Sequence, residues 1–269
     1  MNPKTTVNIL WTGGWDSTFR VIQLSKLNVI IQPYYLLCGR NSEQYELGAI
    51  SKISELIRKR SSTVAILQDV ITANINESDA HRDISDSYNA MLSVRKFGIQ
   101  YDWLARLARE VNGLELSIHQ DDKAVSVINE FGKVIKVHHA DIGDFFILDP
   151  ATSTQDAQKV FGNFRLPLLE YTKVRMKEEA MAGGFMDVMD LTWFCYFPIN
   201  NEPCGVCNPC IYTIDEGLDY RFNKAALKRY RARKTRELLR SIARKVGLLY
   251  IWRYFKSLRR SEPDPGQVS

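Results

Sequence analysis

No stretch of this chain constrains its fold more than the eight residues Trp11-Thr12-Gly13-Gly14-Trp15-Asp16-Ser17-Thr18. They follow a short, apolar, β-prone run at residues 7–11. They precede residues 16–27, where Phe19, Val21, Ile22, Leu24 and Leu27 form a broad apolar helical face. The pattern predicts a strand, a glycine turn and a helix. Two glycines let a backbone approach a pyrophosphate closely, and a helix start directs its amides and positive dipole end at an anion. The hydroxyls of Thr12, Ser17 and Thr18 add donors for phosphate oxygens. An inward-pointing Asp16 would repel phosphate, so it either caps the helix or holds Mg2+. The string is neither the Gly-Lys-Ser/Thr phosphate loop nor the Gly-x-Gly-x-x-Gly dinucleotide fingerprint. An ordinary Gly-Gly turn with a capping Asp is the bland alternative.

Apolar strands at residues 29–37 and 64–67 bracket residues 43–60, where Leu47, Ile50, Ile53, Leu56 and Ile57 recur at helical spacing. Strands alternating with helices imply βαβ units, and so an α/β fold with a doubly wound parallel sheet covered on both faces. Residues 71–96, punctuated by Asn74, Asn76, Asp79, Asp83 and Asp86, read as a loop or lid. A helix is expected at 101–111, a strand at 114–118, a short strand at 145–148 leading to an active-face loop, and a turn into a helix at 167–183. With 269 residues there is ample chain for one large domain with additions. The divisions expected are 1–190 for the main domain, 191–220 for a four-cysteine region and 221–269 for a basic amphipathic helical extension.

Four of the five cysteines, Cys195, Cys204, Cys207 and Cys210, have the spacing Cys-x8-Cys-x2-Cys-x2-Cys. Two consecutive x2 intervals turn thiolates toward one point in a tight knuckle, which suits the closed tetrahedral set that structural Zn2+ favours. An iron–sulfur cluster also uses four thiolates, and spacing does not choose between the metals. Cys38 stands apart and reads as a buried apolar filler.

The formal charge of +5 hides a division. Residues 221–260 carry fifteen Lys and Arg against the single acid Glu237, a local +14 that leaves −9 for the rest of the chain. Leu238, Ile242, Val246 and Leu249 recur at helical spacing among these cations, and residues 248–255 include Tyr250, Trp252, Tyr254 and Phe255. Gly247 divides or kinks the segment. Such a segment docks on its own acidic body or a twin subunit in a homodimer, lies on an anionic membrane surface, or binds RNA. The chain starts without a charged region leading into an apolar leader, and no stretch approaches the ~20 apolar residues that cross a bilayer. The expected location is cytoplasmic, with peripheral attachment at the inner membrane surface as an option of the basic segment.

The glycine turn resembles the Ser-Gly-Gly-x-Asp-Ser loop of the ATP pyrophosphatase (PP-loop) superfamily, with Thr12 in place of the first Ser. Turn and cysteines together resemble the 7-cyano-7-deazaguanine synthases of queuosine biosynthesis from about residue 7 to residue 210. Arg40 and Glu46, Pro167-Leu168 followed by Lys173, and Thr192 with Cys195-Tyr196 match further family positions. The departures are Phe97-Gly98-Ile99-Gln100-Tyr101, where the family has Pro-Gly-Arg-Asn, and Ser117-Ile118-His119-Gln120-Asp121-Asp122, where it has a Gly-rich strand end and an Asp facing the base. The resemblance implies a carbon–nitrogen ligase that splits ATP into AMP and pyrophosphate and converts a carboxylate, with ammonia or another amine, to an amide or nitrile. The carboxylate would be 7-carboxy-7-deazaguanine or a different acid. Trp11, Thr12, Gly13, Gly14, Trp15, Asp16, Ser17, Thr18 and Arg40 would hold ATP, and Asp16, Ser17 and Lys173 would act in catalysis with Mg2+. The cysteines would hold Zn2+. An RNA-modifying enzyme whose basic tail carries tRNA and a non-catalytic, zinc-stabilised binding protein are the alternatives. His119 with Asp121 and Asp122 is a candidate substrate-side cluster, and His138-His139 has no metal spacing to support it.

Overall fold

The computed structural model describes residues 3–74 and 81–245. Asn76, Asp79, Val246, Gly247, Leu249 and the aromatic stretch 248–255 lie outside the described residues. The chain divides into two compact units, Met1–Phe194 and Cys195–Ser269.

The first unit is an α/β fold on a six-stranded sheet. β1 (Thr6–Leu10) leads through the glycine turn into α1 (Trp15–Ser25), and β2 (Ile30–Leu37), α2 (Glu43–Lys59) and β3 (Ile66–Leu67) follow as the apolar periodicity predicts. β2 is long enough to pair on one edge first with β3 and then with β4 (Ile71–Asn74), at Ile30↔Ile66 and Tyr34↔Ile71. On its other edge β2 runs parallel to β1, with Thr6↔Ile30 through Leu10↔Tyr34 in register. β5 (Leu114–Glu115) flanks the far side of β1 and is followed by β8 (Phe164–Arg165), giving the order β3-β2-β1-β5-β8, all parallel. The chain therefore leaves β1 toward β2 on one side and later returns to β5 on the other. Open parallel sheets hold their ligands at such a switch in strand order, beyond the carboxyl ends of the strands, which here is the end of β1.

The helices fall into two groups. α1 packs with α7 (Lys173–Ala182) and α8 (Met186–Met189), and α2 packs with α8. α3 (Arg82–Val94), α4 (Gln100–Glu110), α5 (Lys123–Phe131) and α6 (Gln155–Phe161) pack with one another, and Leu10, Leu114 and Phe164 of the sheet, with Leu116 and Leu166 just past its strands, join their apolar cluster. Side chains alternate along a strand, so with Leu10 on that face Val7 and Ile9 turn to the opposite one. Both are fully buried, as are Val21, Leu24, Ile53 and Ile57 of α1 and α2.

Two expectations need correction. Within the stretch expected to be a loop, Ile71–Asn74 form β4 and Arg82–Val94 form α3. Ile84, Ser87, Tyr88 and Met91 form one narrow buried stripe on α3, and Asp83 and Asp86, two of the residues that suggested a loop, lie exposed on its solvent side. Residues 145–148 belong to β7 (Gly143–Leu148), which pairs antiparallel with β6 (Val134–His139) in a separate two-stranded ribbon.

An ion pair inside the unit joins these pieces. Arg20 Nε and Nη2 donate to the two carboxylate oxygens of Glu115 at 2.7 and 2.8 Å, and Nη2 reaches the carbonyl of Ile142 in the β6–β7 turn at 3.3 Å. Arg20 is 5% exposed and Glu115 0%. A two-point pair satisfies both ions, whereas removing one partner strands a charge in the interior at a cost of roughly 3–5 kcal/mol. Glu115→Ala is therefore expected to lose about that much stability in urea unfolding, and a loss under about 1 kcal/mol would mean the pair is not structurally important.

Candidate functional site

The turn between β1 and α1 takes its shape from the elements packed around it. Gly13 adopts φ +68°, a left-handed conformation costly for residues with a Cβ, and a Cβ there would meet the Glu46 carbonyl at 2.8 Å and Ile50 at 3.2 Å. The first turns of α2 thus press directly on the bend. On the other side the Trp193 amide donates to the Gly13 carbonyl at 2.8 Å. Trp193 stacks on Tyr45 of α2 at 4.7 Å between ring centroids and 16° between planes, so an aromatic pair braces the turn.

Gly14 is the residue that caps α1, and it has no side chain with which to close the helix start. Such an uncapped end is the backbone arrangement that receives an anion, whereas Asp16 in the first turn would repel one unless a cation lay between them. The Thr12 and Ser17 hydroxyls lie 3.4 Å apart across the bend. Trp11 and Thr18 turn the other way: both are fully buried, and the Trp11 indole donates to the Thr18 hydroxyl at 3.0 Å. Their side chains hold β1 to α1, leaving Thr12 and Ser17 as the hydroxyls that line the turn. Trp15 is buried and Asp16 half-buried.

Arg40 stands in the loop after β2, at the same carboxyl edge of the sheet. Its Nη2 donates to Glu46 Oε2 at 3.1 Å, and the Tyr35 hydroxyl donates to the same oxygen at 2.7 Å. Burial, reinforced by that carboxylate, pushes the Tyr35 hydroxyl well above its ordinary range. Burial works against the charge of Arg40, but Glu46 together with Tyr35 and Cys38 keeps the guanidinium above its usual value. Glu46 thus carries Arg40 on its side chain while its carbonyl faces Gly13. Cys38 is half-buried rather than the buried filler expected, and burial raises its thiol. Burial opposes ionisation of Glu43, yet the amides of Cys38, Arg40 and Gly39 hold its carboxyl below the usual range.

Lys173 opens α7, half-buried, two residues beyond Tyr171. The Tyr171 hydroxyl accepts from Gln23 of α1 at 3.0 Å and its ring packs on Phe19, so Lys173 starts a helix seated on α1. His119 is buried just past β5, and its Nδ1 accepts from the Asp121 amide at 3.2 Å. Asp122 caps α5 through the Ala124 amide at 2.8 Å, which accounts for it structurally. His138 pairs with Asp144 on the exposed ribbon. Tyr35, Tyr45 and Trp193 were not anticipated: their roles depend on strand and helix neighbours distant in sequence, and only the place of Trp193 beside the Thr192 and Cys195 matches hinted at one.

In the second unit the four expected thiols do converge. Cys195, Cys204, Cys207 and Cys210 are buried, with all four Sγ atoms within 4.8 Å of one another and pairs at 3.3, 3.8 and 3.9 Å. Metal–sulfur bonds of about 2.3 Å along tetrahedral directions separate sulfurs by about 3.8 Å, so the set could bind one zinc ion. Asn200 and Asn201, both at positive φ, form the tight turn of the Cys195–Cys204 excursion, closed by the Ile199↔Glu202 bridge. The amides of Cys204, Val206 and Cys207 donate to Cys195 and Cys204 sulfurs at 3.2–3.4 Å, which orients and stabilises thiolates. Its sulfur contacts with Cys195 and Cys210 hold Cys207 far below the usual thiol range, while the contact with Cys207 raises Cys195 to about 12 and contacts with both push Cys210 up. α9 (Asn208–Asp215) carries Cys210, and α10 (Lys224–Lys245) packs on the knuckle: Arg229 Nε donates to the Cys204 carbonyl at 2.8 Å and Arg233 to that of Val206.

No family model and no curated protein matches the chain. Among solved structures it is similar to a predicted subunit of tRNA methyltransferase from Methanocaldococcus jannaschii, at 16% identity and a TM-score of 0.35, covering 66% of this chain and 74% of that one.

Two outcomes test this geometry. Gly13→Ala should cost roughly 2 kcal/mol or more in unfolding free energy, because φ and contact both oppose a methyl. Gly14→Ala, at φ −80° with its nearest foreign atom 3.3 Å away, should cost under about 1 kcal/mol; equal costs would contradict the assigned role of Gly13. Elemental analysis should find one zinc per chain in the parent and none in Cys207→Ser, and unchanged metal in the variant would refute the tetrathiolate centre.

Proposed function

We propose that the first unit is an ATP pyrophosphatase of the PP-loop type that adenylates a carboxylate, and that the thiolate centre is a structural zinc site. The observation that carries the reading is the β1–α1 turn itself. It combines a left-handed glycine, a glycine-capped helix start and two hydroxyls at the switch point of a parallel sheet. That combination suits the β- and γ-phosphates of a nucleotide, since an anion gains from the helix dipole and from donors already in place.

In this reading the Thr12 and Ser17 hydroxyls donate to oxygens of the departing pyrophosphate. Asp16 would hold Mg2+, which when bound would neutralise phosphate charge. Lys173 and Arg40 add positive charge, and Glu46 fixes the direction of the Arg40 side chain. The acceptor carboxylate attacks the α-phosphorus, the bond to pyrophosphate breaks, and an acyl-adenylate forms. Ammonia or another amine then attacks the acyl carbon, AMP leaves, and an amide results; dehydration of the amide by a second activation gives a nitrile. Protein positioning, more than acid–base chemistry, supplies the acceleration. Four thiolates leave no open coordination position, so zinc would fix the knuckle and take no part in the reaction. The family resemblance makes 7-carboxy-7-deazaguanine the first acceptor to try, while the Ser117 to Asp122 departures favour a different acid.

Incubation with ATP, Mg2+, ammonium and 7-carboxy-7-deazaguanine should give AMP and pyrophosphate in equal amounts, read by chromatography alongside product mass. Ser17→Ala should slow AMP release by about 10- to 100-fold. Formation of ADP and orthophosphate would overturn the assignment. AMP without the nitrile would move the acceptor to another acid.

A further inference from the structure

The basic helix α10 has two unlike faces. Ala226, Arg229, Tyr230 and Arg233 recur at helical spacing and bind the knuckle side. Ala226 is fully buried against Gly205, whose Cβ would stand 2.3 Å from the Ala226 carbonyl. Tyr230 donates to Asp215, and Lys234 reaches the other oxygen of that carboxylate at 3.0 Å; the tyrosine bond, with the lysine charge, keeps Asp215 below its ordinary range. At 3.6 residues per turn, Lys228, Arg231, Thr235, Leu238 and Leu239 fall on the opposite side. All five are exposed, and the two leucines show 61% and 59% of their surface.

We propose that this outward face of α10 docks on an anionic phospholipid bilayer, with the helix lying in the headgroup plane. The knuckle presents the helix, so the face is fixed before it meets the membrane. The charge argument is direct: residues 221–260 hold fifteen cations and one acid, and an anionic leaflet attracts such a segment. The apolar argument separates a bilayer from RNA. A phosphate backbone rewards cations and single stacking rings, and offers nothing to an exposed Leu238-Leu239 pair or to the consecutive Leu248-Leu249-Tyr250-Ile251-Trp252 that follows in sequence. The headgroup boundary rewards both. No described helix is long and apolar enough to cross a membrane. The proposal is independent of the chemistry of the first unit.

The test uses the full, zinc-loaded chain and sedimentation with vesicles of phosphatidylcholine alone or with three parts in ten phosphatidylglycerol. Binding to the anionic vesicles should be at least tenfold tighter and should weaken several-fold between 0.1 and 0.5 M NaCl. Leu238→Glu with Leu239→Glu should weaken it at least tenfold, and Lys228→Gln with Arg231→Gln should weaken it measurably, both with zinc content and helical signal unchanged. Equal or absent binding to the two vesicle types overturns the proposal, as does parent-like binding by the leucine variant. It is also overturned if the leucine variant alters the oligomeric mass or affinity for tRNA while vesicle binding stays as in the parent.

Discussion

A single close approach, that of the Gly13 bend to the Glu46 carbonyl, sets the arrangement of the first unit. Because α2 presses there, the bend has no room for a side chain, and its left-handed φ independently disfavours one. Three otherwise separate pieces meet at this point: the end of β1, the first turn of α2 with Glu46, and the segment at Trp193 that donates into the Gly13 carbonyl. The turn and its Arg40 neighbour are grouped around them. Gly14 starts α1 without a side-chain cap, Thr12 and Ser17 face each other, and Glu46 holds Arg40 at the carboxyl edge of the sheet.

The second unit repeats the theme with sulfur in place of packing. Gly205 lets the knuckle backbone touch α10 at Ala226, and the knuckle carbonyls accept from Arg229 and Arg233. The positive charge of this helix is thus divided: part is spent on orienting the helix and part faces outward. A tetrathiolate ion would tie the loop that supplies those carbonyls, and so would link metal binding to the order of the helix itself.

Much of this was legible in the sequence where the signal is local. β1, α1, β2 and α2 follow from apolar periodicity and the glycine pair, and the thiol cluster follows from its spacing. The Asn200-Asn201 turn is the kind of pair that tolerates two positive φ angles in succession. What was not legible depends on partners far along the chain. Helix α3 hides because its buried stripe of Ile84, Tyr88 and Met91 is narrow and its polar residues resemble a loop. The β6–β7 ribbon resembles further sheet strands until its antiparallel pairing is known. At the candidate site the hydroxyl of Thr18 looks equal to those of Thr12 and Ser17, and only the Trp11 indole, seven residues earlier, turns it inward. Glu115 looks like an exposed strand residue until Arg20 is seen beside it.

The claim on which the functional account rests is that a nucleotide seats its terminal phosphates on the start of α1. A crystal structure with the α,β-methylene analogue of ATP tests this most directly. The account predicts β- and γ-phosphate oxygens within hydrogen-bond distance of the Thr12 or Ser17 hydroxyls and of backbone amides in the first turn of α1. An analogue bound elsewhere, or none bound at millimolar concentration while the turn keeps its present shape, would contradict it.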